Sequence, residues 1–133
     1  MKILIVENEL ERIKVFKWMF SGHDITVAEL AHEAISLILS NKYDYIFLDH
    51  DLDNDAGYMH HTEYQTGMTV AATLVETDNV YTPILIHSWN PYSSKVLYEY
   101  LISKRCIVIK RQFGLFDNSI VNELADAYRL RYK

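Results

Sequence analysis

Apolar positions along this chain follow two alternating rhythms. Ile3-Leu4-Ile5-Val6 is a short continuous run rich in β-branched residues, as in a strand covered on both faces. After the acidic cluster Glu7, Asn8 and Glu9, the spacing of Leu10, Ile13, Phe16 and Phe20 predicts a helix, with Gly22 as its stop. Ile25-Thr26-Val27-Ala28 reads as a weaker strand, and Ala31, Ala34, Ile35 and Ile38 as a second helical stripe ending near Asn41. Tyr45-Ile46-Phe47-Leu48 is the third strand. Residues 53–66 are polar and rich in Tyr and His, which predicts a long loop. Thr66, a good N-cap, and Gly67 then open a helix carrying Met68, Ala71, Ala72 and Val75. Ile84-Leu85-Ile86 is strand four, and Asn90-Pro91 starts a helix lined by Val96, Leu97, Tyr100 and Leu101. Ile107-Val108-Ile109 is strand five, and a last helix spans residues 118–131 on Val121, Leu124 and Tyr128.

Five strands alternating with five helices predict an α/β fold, a doubly wound parallel sheet between two helical layers, as one domain over residues 1–133. Half the residues are hydrophobic and 23% are charged, a globular composition. A net charge of −5 provides no basic field for duplex nucleic acid, yet permits a small anionic ligand held by local positive groups. Cys106, the single cysteine, excludes a disulfide framework and reads as a buried, inert thiol. The four apolar residues before Glu7 are too few for a signal peptide, and no run suits a membrane span, so the expected location is the cytoplasm.

In open parallel sheets, ligands bind beyond the C-terminal strand ends. Strand one ends in Glu7-Asn8-Glu9, strand three in Asp49-His50-Asp51, strand four in His87-Ser88-Trp89-Asn90, and strand five in Lys110-Arg111. Chemistry therefore collects at four of five strand ends, while the strands themselves are apolar.

This order of groups resembles a response-regulator receiver domain, a flavodoxin-like fold. The resemblance covers nearly the whole chain and implies strand order 2-1-3-4-5. It puts Asp49 at the phosphoacceptor position, Ser88 at the Ser/Thr position after strand four, and Lys110 at the lysine after strand five. Leu48-Asp49-His50-Asp51-Leu52 together with His87-Ser88-x-Asn90-Pro91 more closely resembles the offshoot of cyclic-phosphate-processing receiver domains. That resemblance implies a small phosphoesterase acting on a cyclic (oligo)nucleotide or a 2′,3′-cyclic phosphate through a His50/His87 acid–base pair. The chain departs from the receiver pattern in carrying Glu7-Asn8 where Asp-Asp is usual, and in its insert at 53–66. No cofactor is required by such chemistry; the metal alternative is Mg²⁺ or another divalent ion on Glu7 and Asp49.

Two histidines that titrate near neutrality can divide the work of activating water and protonating a leaving oxygen. Asp49 or Asp51 would orient His50 and strengthen it as a base. Ser88, Asn90, Lys110 and Arg111 would hold phosphate oxygens, and Trp89, Tyr58 or Tyr64 would stack on a base. Each has a plainer alternative: Asn90 as a helix cap before Pro91, Lys110 and Arg111 as solvated charges, Glu7 and Glu9 as partners of a helix dipole. His60-His61 with Glu63 could ligate a metal, but adjacent side chains seldom converge on one ion, which favours a loop. Two alternatives to the enzyme stand: a stand-alone receiver phosphorylated on Asp49, and a non-catalytic cyclic-nucleotide-binding module. The expected partner in every case is a small phosphorylated or cyclic-phosphate ligand, with neither duplex nucleic acid nor membrane.

Overall fold

The computed structural model of the chain describes residues 1–52 and 66–132. Its elements run β1 Lys2–Val6, α1 Leu10–Met19, β2 Asp24–Ala28, α2 Ala31–Ser40 and β3 Tyr45–Leu48. They continue as α3 Gly67–Leu74, a 3-10 turn Asp78–Tyr81, β4 Ile84–Ile86, α4 Pro91–Ser103, β5 Val108–Lys110 and α5 Ile120–Tyr132. The strands form a single five-stranded sheet in the order β2-β1-β3-β4-β5, every pair parallel.

Side chains alternate across the pleat, and each sheet face has its own core. On one face Leu4, Val6, Ile46, Leu48, Ile84 and Ile86 pack against Ala34 and Ile38 of α2, Val70 and Leu74 of α3, and Leu97 and Leu101 of α4. On the other, Ile3, Ile5, Phe47 and Leu85 meet Phe16 and Phe20 from α1 and its C-cap, and Ile120 and Leu124 of α5. Both faces are covered, which is why the strands read as unbroken apolar runs.

Strands β3 and β4 fall where the periodicity places them, and three helical stripes shift. Leu10 is exposed, so α1 packs on Ile13 and Phe16. In α3 the buried face is Gly67, Val70, Ala71 and Leu74, whereas Ala72 is exposed. The inward turn follows from the docking of Gly67 under β3. Val121 and Tyr128 of α5 are only partly covered, and Leu124 carries that contact with Ile120. Strand five lies one residue later than its apolar run predicts, at Val108–Lys110. Cys106 is buried, and burial pushes its thiol up to about 11. Among the described residues no helix is long and apolar enough to cross a membrane.

At the N-terminal edge of the sheet a buried amide ties the connections together. The Asn79 side chain accepts from the Tyr43 backbone N–H (3.0 Å) and the Thr82 hydroxyl (3.2 Å). It donates to the carbonyls of Ile38 (3.0 Å) and Asn41 (2.7 Å). This hub fixes the entries to β3 and β4 at the end of the sheet opposite the strand ends.

Candidate functional site

Register aligns the chemistry. Val6 pairs with Leu48, Leu48 with Ile86, and Ile86 with Lys110. One further hydrogen bond extends three of these pairings: Asp49 N–H to Val6 O (3.1 Å), His87 N–H to Leu48 O (3.2 Å) and Arg111 N–H to Ile86 O (2.9 Å). Two-residue periodicity then turns Glu7, Asp49 and His87 toward the α1/α5 face, the face of Ile5, Phe47 and Leu85. The three come together in a buried polar cluster, each at most 3% exposed.

Asp49 is held from two sides on one oxygen. The Ser88 hydroxyl donates to Oδ1 at 2.8 Å, and the Asp51 N–H donates to the same atom at 3.2 Å. Ser88 in turn accepts the His50 N–H at 2.7 Å, so the ends of β3 and β4 are laced through one hydroxyl. Burial raises the Asp49 carboxyl above the usual range, against the pull of Ser88 and of the Arg12 guanidinium. Glu7 uses Oε2 in the same manner, accepting from Asn8 N–H (3.0 Å) and Glu9 N–H (2.8 Å). Burial, and then the neighbouring Asp49 charge, lift Glu7 to about 7.

His50 lies at the rim, with Nδ1 2.9 Å from Asp51 Oδ1 and its side chain about one-fifth exposed. The carboxylate fixes the ring and leaves Nε2, which makes no hydrogen bond among the described residues, as the nitrogen available to a ligand. The carbonyl of His50 accepts the Gly67 N–H at 2.9 Å. A Cβ on Gly67 would lie 2.4 Å from the Asp49 carbonyl oxygen and 2.6 Å from the His50 Cα. Only glycine lets α3 approach the strand end this closely.

His87 occupies a different environment from that expected of half an acid–base pair. It is fully buried, edge-on to Phe16 with ring centroids 4.9 Å apart, and neither ring nitrogen makes a hydrogen bond among the described residues. Burial, reinforced by the Arg12 charge, lowers its pKa to about 3. The ring is thus neutral near pH 7, and the 3.5 Å approach of Nδ1 to Glu7 Oε1 is not an ion pair. His87 stands behind Glu7, inside the core, while His50 stands outside it.

Arg12, which sequence reasoning missed, fills the space between the carboxylates. Its Nη1 is 3.5 Å from Glu7 Oε1 and 3.8 Å from Asp49 Oδ2, and its Nε is 3.5 Å from Glu9 Oε2. Its guanidinium packs over Trp89 (5.4 Å) and Phe113 (5.5 Å), a stacked cation geometry suited to arginine. One sequence signal existed: Arg12 lies one helical turn before Phe16, on the face that turns inward. The expected metal pocket on Glu7 and Asp49 does not fit this arrangement. One oxygen of each carboxylate is occupied by local donors, and the other faces the guanidinium. Among the described residues no group of three or more His, Cys, Asp or Glu could hold a metal.

The remaining expected ligands are placed elsewhere. Lys110 directs its ammonium over the Tyr98 ring at 5.6 Å, on the opposite sheet face from Asp49. Arg111 forms a forked pair with Glu123 on α5, at 3.1 and 2.8 Å. Asn90 is the helix cap, accepting from Tyr92 N–H (3.0 Å) and Ser93 N–H (3.1 Å). Trp89 is half exposed beside Arg12 and remains open to a stacking ligand. Tyr58, Tyr64, His60, His61 and Glu63, with the rest of the insert up to residue 65, lie outside the described residues.

Comparison with known proteins completes the picture. A two-component response regulator from Clostridium difficile superposes with a TM-score of 0.71 at 22% identity, covering 100% of this chain and 99% of that one. The receiver domain of Francisella response regulator 1452 gives 0.64 at 22% identity, with 98% of each chain covered. The response regulator TrrA from Thermotoga maritima, solved in complex with Mg²⁺-BeF, gives 0.64 at 19% identity, covering 96% of this chain and 99% of that one. These likenesses establish the receiver fold. No curated protein matches the chain. The family model described as the cyclic-phosphate processing receiver domain matches residues 4–103. With the receiver fold around it and both histidine motifs inside the matched span, the chain belongs to the cyclic-phosphate processing receiver domain family.

Proposed function

We propose that this domain is a phosphoesterase that opens a cyclic phosphate ester, with His50 as the proton-transferring group. One observation carries the reading: the Asp51–His50 contact of 2.9 Å at the rim of a site whose floor is Asp49, Ser88 and Arg12. Asp51 fixes the imidazole, and His50 Nε2 takes a proton from water as the oxygen attacks phosphorus. The ring P–O bond breaks, and the leaving oxygen is protonated from the imidazolium through solvent, which restores neutral His50. The Arg12 guanidinium, whose carboxylate contacts are all 3.5 Å or longer, is the group suited to charge developing on the phosphoryl oxygens. His87 supports the reaction from inside, by filling the space behind Glu7 and Arg12.

The test is hydrolysis of a panel of 3′,5′-cyclic nucleotides, cyclic oligonucleotides and 2′,3′-cyclic phosphates. Turnover by the wild-type domain, reduced about a hundredfold or more in His50→Ala, is the expected result. Absence of turnover across the panel, or full activity in His50→Ala, overturns the reading.

The Ser88–Asp49 bond of 2.8 Å favours a second reading, a receiver phosphorylated on Asp49. The Mg²⁺-BeF complex of TrrA is consistent with it, whereas the placement of Lys110 over Tyr98 is not. Acetyl phosphate with Mg²⁺ should then add one labile phosphoryl group that Asp49→Asn abolishes. Absence of that adduct by mass spectrometry removes the second reading.

A further inference from the structure

We infer that Arg12 is the resident cation of this site, occupying the position between Glu7 and Asp49 that a divalent ion would need. Three observations carry this. Each carboxylate has one oxygen saturated by local donors, Glu7 Oε2 by Asn8 and Glu9 and Asp49 Oδ1 by Ser88 and Asp51. The two remaining oxygens, Glu7 Oε1 and Asp49 Oδ2, both face Nη1 of Arg12, at 3.5 and 3.8 Å. The guanidinium is held there by Trp89 on β4's exit and Phe113 after β5, with about one-sixth of the side chain exposed.

A metal ion would need these oxygens at roughly 2.0–2.6 Å, a shell that the guanidinium and its two ring neighbours leave no room to form. Arg12 also differs from a metal in what it offers a ligand. Its carboxylate contacts are all 3.5 Å or longer and none is a hydrogen bond among the described residues. Its forked N–H donors therefore remain available to a tetrahedral anion, the geometry guanidinium recognises best. The site carries its positive charge in the sequence and binds phosphoryl oxygens with no divalent ion. This inference concerns what neutralises the site and does not require turnover.

Mn²⁺ binding, read as loss of the free-ion signal in electron paramagnetic resonance, tests it directly. The wild-type domain should bind Mn²⁺ at least roughly tenfold more weakly than Arg12→Gln, a difference of about 1.4 kcal/mol. Arg12→Lys, which keeps the charge, should remain as indifferent as wild type. Adding Asp49→Asn to Arg12→Gln should abolish the gain. A thermal melt of each variant confirms that native protein is being compared. Equal Mn²⁺ uptake by wild type and Arg12→Gln, whether strong or absent, overturns the inference, as does a gain in Arg12→Lys equal to that in Arg12→Gln.

Discussion

At the scale of single residues, Glu7 and His87 form a buried pair whose protons have opposite effects on stability. Glu7 ordinarily titrates at 4.5 and here at about 7, so the folded protein keeps a proton that the unfolded chain releases. Its contribution is full below pH 4.5 and is lost as pH rises toward 7. His87 ordinarily titrates at 6.5 and here at about 3, so its contribution is present above 6.5 and is lost as pH falls toward 3. In a comparison of Glu7→Gln with wild type the His87 effect cancels. The variant should gain on wild type between pH 4.5 and 7, by as much as ~3 kcal/mol, measured from urea midpoints at the two ends. A gap that does not change with pH would show that Glu7 is ionised in the core. At the rim, Asp51→Asn should lower kcat on a cyclic phosphate by roughly tenfold with little change in KM, and Asp51→Glu should restore part of it. An equal loss in both variants would make Asp51 merely structural.

At the scale of elements, the site depends on how closely α3 docks beneath the end of β3. Gly67→Ala places a methyl group against the backbone of Asp49 and His50, atoms that cannot move without displacing the site. We expect a loss of about 1–3 kcal/mol in stability, with a fall in activity beyond that of an equally destabilised variant elsewhere. At the opposite sheet edge, Asn79→Ala removes an amide that bonds Tyr43, Thr82, Ile38 and Asn41. It should cost about 2 kcal/mol while leaving ligand affinity unchanged in the folded fraction, as calorimetry would show. The elements also explain why Lys110 is not where the resemblance puts it. The apolar run predicts that strand five ends at Ile109, leaving Lys110 as the first residue beyond it. β5 instead continues through Lys110, which pairs with Ile86 and so shares its sheet face, opposite Asp49. Lys110 thus meets Tyr98, and Arg111, now on the site's side, is claimed by Glu123.

At the scale of the whole molecule, a ligand that binds only the folded state must raise its stability by mass action. A cyclic phosphate at about a hundred times its Kd should add about 2.7 kcal/mol and raise Tm by roughly 10 °C. The shift should persist in EDTA and be much reduced in Arg12→Gln; an EDTA-sensitive shift would place a metal in the site. How much of this molecule the sequence determined can be read residue by residue. Apolar periodicity located the strands, and the rule that ligands gather at strand ends was enough to single out Asp49, His50, Asp51 and Ser88, because these follow their strands directly. The two histidine motifs, each set directly after a strand, carried the resemblance that the family match over residues 4–103 bears out. Local pattern cannot show which strand-end side chains are buried, since burial depends on what packs over them. Hence His50 and His87 read alike in sequence, yet one lies at the rim and the other lies behind Phe16. Nor can local pattern bring Arg12 to Asp49, because α1 must first fold over the sheet and Trp89 and Phe113 must close around the guanidinium. The chain alone determined the elements and four of the five strand ends, which follow from periods of two and 3.6 residues. The tertiary structure decided which charges meet, because that depends on register and on the packing of helices distant in sequence.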